Sequence, residues 1–178
     1  MSPAVLTRSL RKEFKLGWGR GRVLALEGLD LEVKRGEVFG LLGPNGSGKS
    51  TAMKMILGLL RPTAGQAEVC GFRAGTLAAR KQIGFLPENP YFPAFLTGAE
   101  LISYYGKLSG MGGKGLEARV QELLALVRLG GEAGRRPLRT YSKGMLQRVG
   151  LAGALVSEPE IIMLDEPTAG VDPGGSRE

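Results

Sequence analysis

An α/β fold carrying a helical insertion is predicted by three observations along this sequence. The continuous apolar run Val38-Phe39-Gly40-Leu41-Leu42 is followed at once by a glycine-rich loop, Gly43 to Gly48, and then by a helical pattern. A second apolar run, Ile161-Ile162-Met163-Leu164, ends in two acids. Between about residues 97 and 157 the apolar side chains recur at helical spacing. Strand, loop, helix and a later buried strand suit a sheet covered by helices, and the stretch between them suits an insertion.

The elements follow in order. Ala4 to Leu10 reads as a strand. The Arg-rich start, Met1 to Phe14, has the look of a transit peptide, but strand character resumes at Val23 to Val33 without a cleavage-like break. Leu24, Leu26, Leu29, Leu31 and Val33 alternate around Gly28, which predicts paired strands and turns. Lys34-Arg35-Gly36 is a turn, and Val38 to Leu42 is expected as a strand buried on both faces. Lys49 to Leu60 carries Met53, Ile56, Leu57 and Leu60 at helical spacing and is ended by Arg61-Pro62-Thr63-Ala64-Gly65. A short strand at Ala67 to Cys70, a helix near Leu77 to Gln82 and a strand at Ile83 to Leu86 come next.

Three prolines, at 87, 90 and 93, make Pro87 to Phe95 an irregular surface loop. Thr97-Gly98-Ala99-Glu100 is a capping-box sequence opening a helix to about Leu108. Gly110, Gly112, Gly113 and Gly115 read as a flexible link before the helix Leu116 to Leu129, which shows Val120, Leu123, Leu124 and Val127 on one face. After the basic loop at Arg135-Arg136, Ser142 caps a helix from Lys143 to Val156. Pro159 stops the chain before the strand Ile161 to Leu164.

Composition narrows the chemistry. With 178 residues, 43% hydrophobic and 23% charged, the chain has globular composition and the length to bury a core without metal or disulfide staples. The net charge of +7 favours anionic partners. The absence of histidine excludes His triads, His metal ligands and His general bases. One cysteine, Cys70, excludes a disulfide framework and a Cys-rich zinc site, and is expected as a small core residue in a strand of a protein from a reducing compartment. No apolar run approaches the roughly 18 residues that span a bilayer.

Two segments carry phosphate chemistry. Gly43-Pro44-Asn45-Gly46-Ser47-Gly48-Lys49-Ser50-Thr51 fits the P-loop pattern in its proper context, strand before and helix after. Its glycines let backbone N–H groups converge on phosphate oxygens without Cβ clashes, and the helix N-terminus adds a positive dipole. Lys49 is placed to reach the β- and γ-phosphates, and the Ser50 hydroxyl to ligate Mg²⁺. About 115 residues later, Asp165 and Glu166 follow an apolar strand. There Asp165 can meet Mg²⁺ through water, and Glu166 can polarise an attacking water.

Tyr141-Ser142-Lys143-Gly144-Met145-Leu146-Gln147-Arg148 resembles the signature segment of the ATP-binding cassette (ABC) ATPases, and Ser142 lies 23 residues before Asp165, as in that family. Asp165-Glu166-Pro167-Thr168-Ala169-Gly170-Val171-Asp172-Pro173 resembles the family's Walker B strand and D-loop, with Asp172 the D-loop acid. Nearly the whole chain aligns. The resemblance implies a P-loop NTPase core with an N-terminal antiparallel β subdomain and a helical insertion, in a single domain over residues 1–178. Residues 1–95 and 158–178 would form the core and 96–157 the helical subdomain. It further implies ATP and Mg²⁺ as ligands, and two such domains pairing head to tail, with Ser142 and Gly144 of one facing the ATP on the P-loop of the other. A polytopic permease would be the membrane partner, on the cytoplasmic face of the membrane, and no nucleic acid is expected.

Departures from the pattern are specific. The family's glutamine after the strand near 83–86 is Glu88 here, which keeps an oxygen for Mg²⁺ but adds charge and cannot donate. Lys143 and Met145 stand where the signature has Gly and Gln, and leave Ser142 and Gly144 in place. Phe14 is the first candidate to stack on adenine and Trp18 the second, with simple packing the alternative for either ring. Arg8, Arg11, Lys12, Lys15, Arg20 and Arg22 form either a solvated face or an attraction for triphosphate or an anionic membrane surface. Tyr91, Phe92 and Phe95 suit contact with a membrane subunit, or packing on the helical lobe.

The family's further strands and its switch histidine are expected to be missing beyond Glu178. The first reading is therefore the ATP-hydrolysing subunit of a transporter. Its rivals are a soluble ABC ATPase of translation or DNA repair, and an inactive nucleotide-binding fragment. A GTPase is disfavoured because no N-K-x-D motif occurs.

Overall fold

The computed structural model describes residues 2–17 and 21–166. The chain divides into two compact units, Met1–Gln82 and Ile83–Glu178.

The first unit is built on an antiparallel sheet of order β2-β1-β3-β4. Its strands are β1 (Val5–Lys15), β2 (Arg22–Val33), β3 (Ala64–Val69) and β4 (Phe72–Arg73). The N-terminal antiparallel subdomain expected from the sequence is therefore present, but β2 runs unbroken through Gly28. The irregularity falls on β1 instead, where the register shifts between Thr7 and Glu13. Ser9 adopts a left-handed backbone there, and its N–H donates to Asp30 Oδ1 at 2.6 Å. Helix α1 (Lys49–Ile56) supplies Ala52, Met55 and Ile56 to the core of this unit, which also holds Val5, Leu10 and Val69. Each large apolar side chain buried this way contributes about 1.5–3 kcal/mol. Thr7, buried in the same sheet, is satisfied by donating its hydroxyl to Leu29 O at 2.8 Å. α1 stops four residues before Leu60, because Gly58 takes the left-handed conformation just past its end. A short helix α2 (Leu77–Arg80), capped by Thr76, completes the unit. Cys70 is buried as expected, though it sits in the turn just after β3 and not in a strand.

Val38 to Leu42 does not form the doubly buried strand that its composition predicts. The segment has no regular structure, and Val38 and Leu42 are 101% and 92% exposed. A strand of this kind is held by a hydrogen-bonded neighbour on each side and helices on each face. Among the described residues no strand pairs with it.

The second unit pairs β5 (Ile83–Leu86) with β6 (Ile161–Leu164) in parallel, Ile83 opposite Ile161 and Leu86 opposite Leu164. The 78-residue offset between the two strands holds α3 (Gly98–Leu108), α4 (Gly113–Leu126), α5 (Glu132–Arg135), a 3-10 turn (Leu138–Thr140) and α6 (Lys143–Leu155). Leu101, Ile102, Leu123, Leu124 and Val149 form the centre of its core. Gly113 and Gly115 lie inside α4 and not in a link, since burial of Leu116, Val120, Leu123 and Leu124 outweighs the roughly 1 kcal/mol that each helical glycine costs. β6 is half-buried, and Leu164 is 38% exposed, because β5 is its one neighbour among the described residues.

α3 begins with the predicted capping box. Thr97 Oγ accepts from the Glu100 N–H at 3.2 Å, and the Thr97 N–H donates to Glu100 Oε2 at 2.8 Å. Thr97→Ala is expected to cost about 1 kcal/mol in urea unfolding. The Thr97 backbone and hydroxyl donors hold the Glu100 carboxyl below its usual range. A depressed carboxylate contributes stability that is present above about pH 4.3 and lost as pH falls through its lower folded value. Acid unfolding monitored by circular dichroism is therefore expected to lose that limb in Glu100→Ala.

α6 meets β5 through glycines. A Cβ on Gly84 would collide with the carbonyl oxygen of Ala154, and one on Gly150 would lie 2.7 Å from Leu86 Cδ1. Backbone cannot yield as a side-chain tip can, so Gly84→Ala is expected to cost about 1–3 kcal/mol by denaturant titration.

Candidate functional site

The sequence-predicted residues fall into two groups, one in each unit. Gly43 to Thr51 lie in the first. The Ser47 N–H donates to Pro44 O at 3.2 Å and the Ala52 N–H to Gly48 O at 2.8 Å, so the loop turns straight into α1. Gly48 caps the helix at φ +92°, and a Cβ there would lie 2.5 Å from Ala25 O and 3.0 Å from Leu26 Cδ1. Only glycine satisfies both the dihedral and the close approach to β2. No side chain caps the first turn of α1 and no acid lies in it, so its N–H groups and dipole remain available to an anion. The Lys49 ammonium folds back over the loop, donating to Gly43 O at 2.7 Å and Pro44 O at 2.9 Å. Gly43, Asn45, Gly46, Ser47 and Ser50 are exposed, and Gly48, Lys49 and Thr51 half-buried. A glycine cradle, an uncapped helix N-terminus and a cation over the loop fit a polyphosphate.

Phe14, on β1, is 40% exposed, and the Lys12 ammonium stands 5.1 Å from its ring centroid. Lys12 Nζ also donates to Arg61 O at 2.7 Å. Two of the six basic residues singled out above are compensated, since Arg11 and Arg22 both pair with Glu13. The Arg11 hydrogen bond, then that of Arg22, lowers the Glu13 carboxyl pKa. Trp18 lies outside the described residues, as does Asp172.

In the second unit the parallel register brings the ends of β5 and β6 to one edge. The Asp165 N–H donates to Leu86 O at 3.0 Å, so Asp165 and Glu166 leave the sheet beside the segment that carries Glu88. Glu166 has a left-handed backbone, φ 46°, which turns the chain as it leaves β6. Among the described residues no group of three or more acids and cysteines could hold a metal ion. A cation here would need further oxygen donors besides Asp165 and Glu88, and hard oxygen donors of this kind suit Mg²⁺.

Ser142 is the N-cap of α6, accepting from the Met145 N–H at 3.3 Å through its hydroxyl oxygen. That leaves its O–H free to donate. A Cβ at Gly144 would meet open space, so the first turn is unobstructed at this position. The preceding Tyr141 anchors the segment by donating its hydroxyl to Ala133 O at 2.6 Å. Burial pushes the Tyr141 phenol above its usual range, which keeps it a donor.

The second unit also holds a groove of about 290 Å³ between β5 with its loop, α3 and α6. Phe85, Pro90, Tyr91, Phe92, Tyr105 and Leu108 line it together with Gly150 and Gly153, and no charged residue does. Phe92 packs against the helical core, while Tyr91 and Phe95 are exposed. Of the three aromatics considered together above, Phe92 takes the packing role on the helical core.

One residue quoted above within the signature-like segment was given no role there. Gln147 is buried in α6, and its Nε2 donates to Glu88 O at 3.3 Å. The available signal was a polar residue three positions before Gly150, on the helix face that packs on β5.

Comparison with known proteins gives a consistent result. Residues 26–169 match the family profile described as ABC transporter. The chain is 44% identical over 173 residues to an uncharacterized ABC transporter ATP-binding protein of Nostoc sp., covering 96% of this chain and 52% of that protein. It is 44% identical over 156 residues to a daunorubicin resistance ATP-binding protein of Streptomyces coeruleorubidus, covering 86% of this chain and 49% of that one. The chain spans about half the length of the curated relatives it matches. A solved dimer of an ATP-binding cassette in a post-hydrolysis state, bound to ADP and Pi, superposes with a TM-score of 0.84 at 29% identity, covering 96% of this chain and 77% of that one.

Proposed function

The chain belongs to the ABC transporter family, and from that membership we propose that it binds and hydrolyses ATP to drive a membrane partner. The observation that carries this reading is the P-loop itself: a glycine cradle, an uncapped α1 terminus and Lys49 folded over the loop. ATP entering this loop replaces the carbonyl partners of Lys49 with phosphate oxygens, an exchange of neutral acceptors for charged ones. Phe14 stacks on the adenine. Mg²⁺, held by Ser50, Glu88 and, through water, Asp165, would supply charge neutralisation at the β- and γ-phosphates.

Glu166 orients a water and accepts its proton as the water oxygen attacks the γ-phosphorus. The bond to the bridging oxygen breaks, and ADP and inorganic phosphate are released. The Ser142 hydroxyl and the open turn at Gly144 serve the γ-phosphate of a second copy, and Asp172 is assigned the D-loop role. Residues 96–157 act as a helical subdomain on a core made of residues 1–95 and 158–178. The uncharged groove, with exposed Tyr91 beside it, takes an apolar segment of a polytopic permease on the cytoplasmic face of the membrane.

The test is ATP turnover by the purified chain, alone and together with a candidate polytopic membrane protein, should one be encoded beside it. Turnover stimulated by that protein supports the transporter reading. Turnover without any such partner favours a soluble ATPase, and binding without turnover or dimerisation favours a nucleotide-binding fragment.

A further inference from the structure

The face of α6 that packs on β5 carries residues spaced three and four apart: Gln147, Gly150 and Ala154. Gly150 admits Leu86 and Phe92, and Gly84 admits the Ala154 carbonyl, so helix and strand meet without space to slide. Gln147 lies one turn before Gly150 on this face, is 8% exposed, and uses its amide to hold the Glu88 carbonyl. Among the described residues only Thr7 and Gln147 are buried polar side chains, and Thr7 serves its own sheet. The amide of Gln147 instead reaches 59 positions back along the chain, to the loop after β5.

We infer that Gln147 is a positioning residue, which sets where the Glu88 loop stands relative to the Ser142 end of α6. The inference rests on the nucleotide-facing roles proposed above for Glu88 and Ser142. By the chain, Glu88 and Ser142 are 54 residues apart, through three helices and a 3-10 turn. Through the Gln147 amide they are joined by little more than one helical turn. The loop that carries Glu88 also lines the uncharged groove through Pro90, Tyr91 and Phe92.

Hydrogen–deuterium exchange on the full chain tests this, using Gln147→Met, which keeps the length and lacks the donor, and Gln147→Glu, which donates only when protonated. In Gln147→Met, amides of residues 88–96 are expected to exchange about five-fold faster than wild type, the scale of one lost hydrogen bond. Those of α3 and α4 should be unchanged, and so should the circular dichroism spectrum. Gln147→Glu should behave likewise at pH 8 and return toward the wild-type rates at pH 5, each compared with wild type at the same pH. Unchanged exchange at 88–96 in both variants overturns the inference. So does a loss of protection spread evenly over α3, α4 and α6, which is the mark of a merely structural residue. ATP affinity measured with Mg²⁺ and with EDTA separates the premise from the inference. A faster loop with an unaltered Mg²⁺ dependence supports the clamp and removes Glu88 from the metal site.

Discussion

Lys49→Ala is expected to weaken ATP binding about 10- to 100-fold, the equivalent of one charge-assisted hydrogen bond at roughly 1.5–3 kcal/mol. Two effects contribute. The ammonium is the fixed cation of the loop, and it also ties Gly43 O and Pro44 O together at 2.7 and 2.9 Å. Its removal leaves the exposed loop less ordered before any ligand arrives, so part of the loss is a cost of ordering. Fluorescence titration with a labelled ATP analogue measures the total. Lys49→Arg separates the parts, since it keeps the charge but replaces the compact ammonium by a planar fork. An affinity that Lys49→Ala leaves at the wild-type value removes the P-loop from the nucleotide site altogether.

Glu166→Gln is expected to reduce ATP turnover about 10²- to 10⁴-fold, the usual contribution of a positioned general base. ATP affinity should change by less than about three-fold, because the amide keeps the shape of the carboxylate and removes only its basicity. Phosphate release and nucleotide binding measured on one preparation distinguish the two quantities. A parallel fall in both would place Glu166 in binding and leave the proton acceptor unassigned. Asp165→Asn provides the contrast, since a residue that acts through Mg²⁺ affects binding in Mg²⁺ and not in EDTA.

Much of this was legible in the sequence wherever the signal is local. The Thr97–Glu100 capping box and the Ser142 cap depend on residues three apart, and both formed. β5 and β6 are short apolar runs bounded by breakers, and their bounds agree with the pattern. The P-loop was legible for the same reason, since glycine spacing dictates a turn whatever the surroundings. Val38 to Leu42 shows the opposite case. Its composition describes the environment a strand of that kind needs, and the ladder partners are supplied by other parts of a fold. Gly113 and Gly115 were misjudged because propensity argued for a link, while burial along α4 decided for helix. Gln147 was hidden because its role depends on a contact with Glu88 that no local pattern encodes.

The parallel pairing of β5 with β6 bears on how the chain acquires its acidic edge. Ile83 and Ile161 are paired across 78 positions, so their ladder closes a long loop. Logarithmic loop-closure scaling puts the chain-entropy cost of joining such distant ends at about 4 kcal/mol. Four strand residues cannot meet that cost unaided, whereas helices α3 to α6 shorten the effective loop once they have packed. The helical lobe is thus the scaffold on which the two strands find each other, and their pairing comes late. During synthesis the phosphate loop emerges more than a hundred residues before Asp165 and Glu166. Asp165 and Glu166 reach the end of the sheet only when the lobe before them is finished, so a half-made chain holds its glycine-rich loop well before it holds this acidic edge.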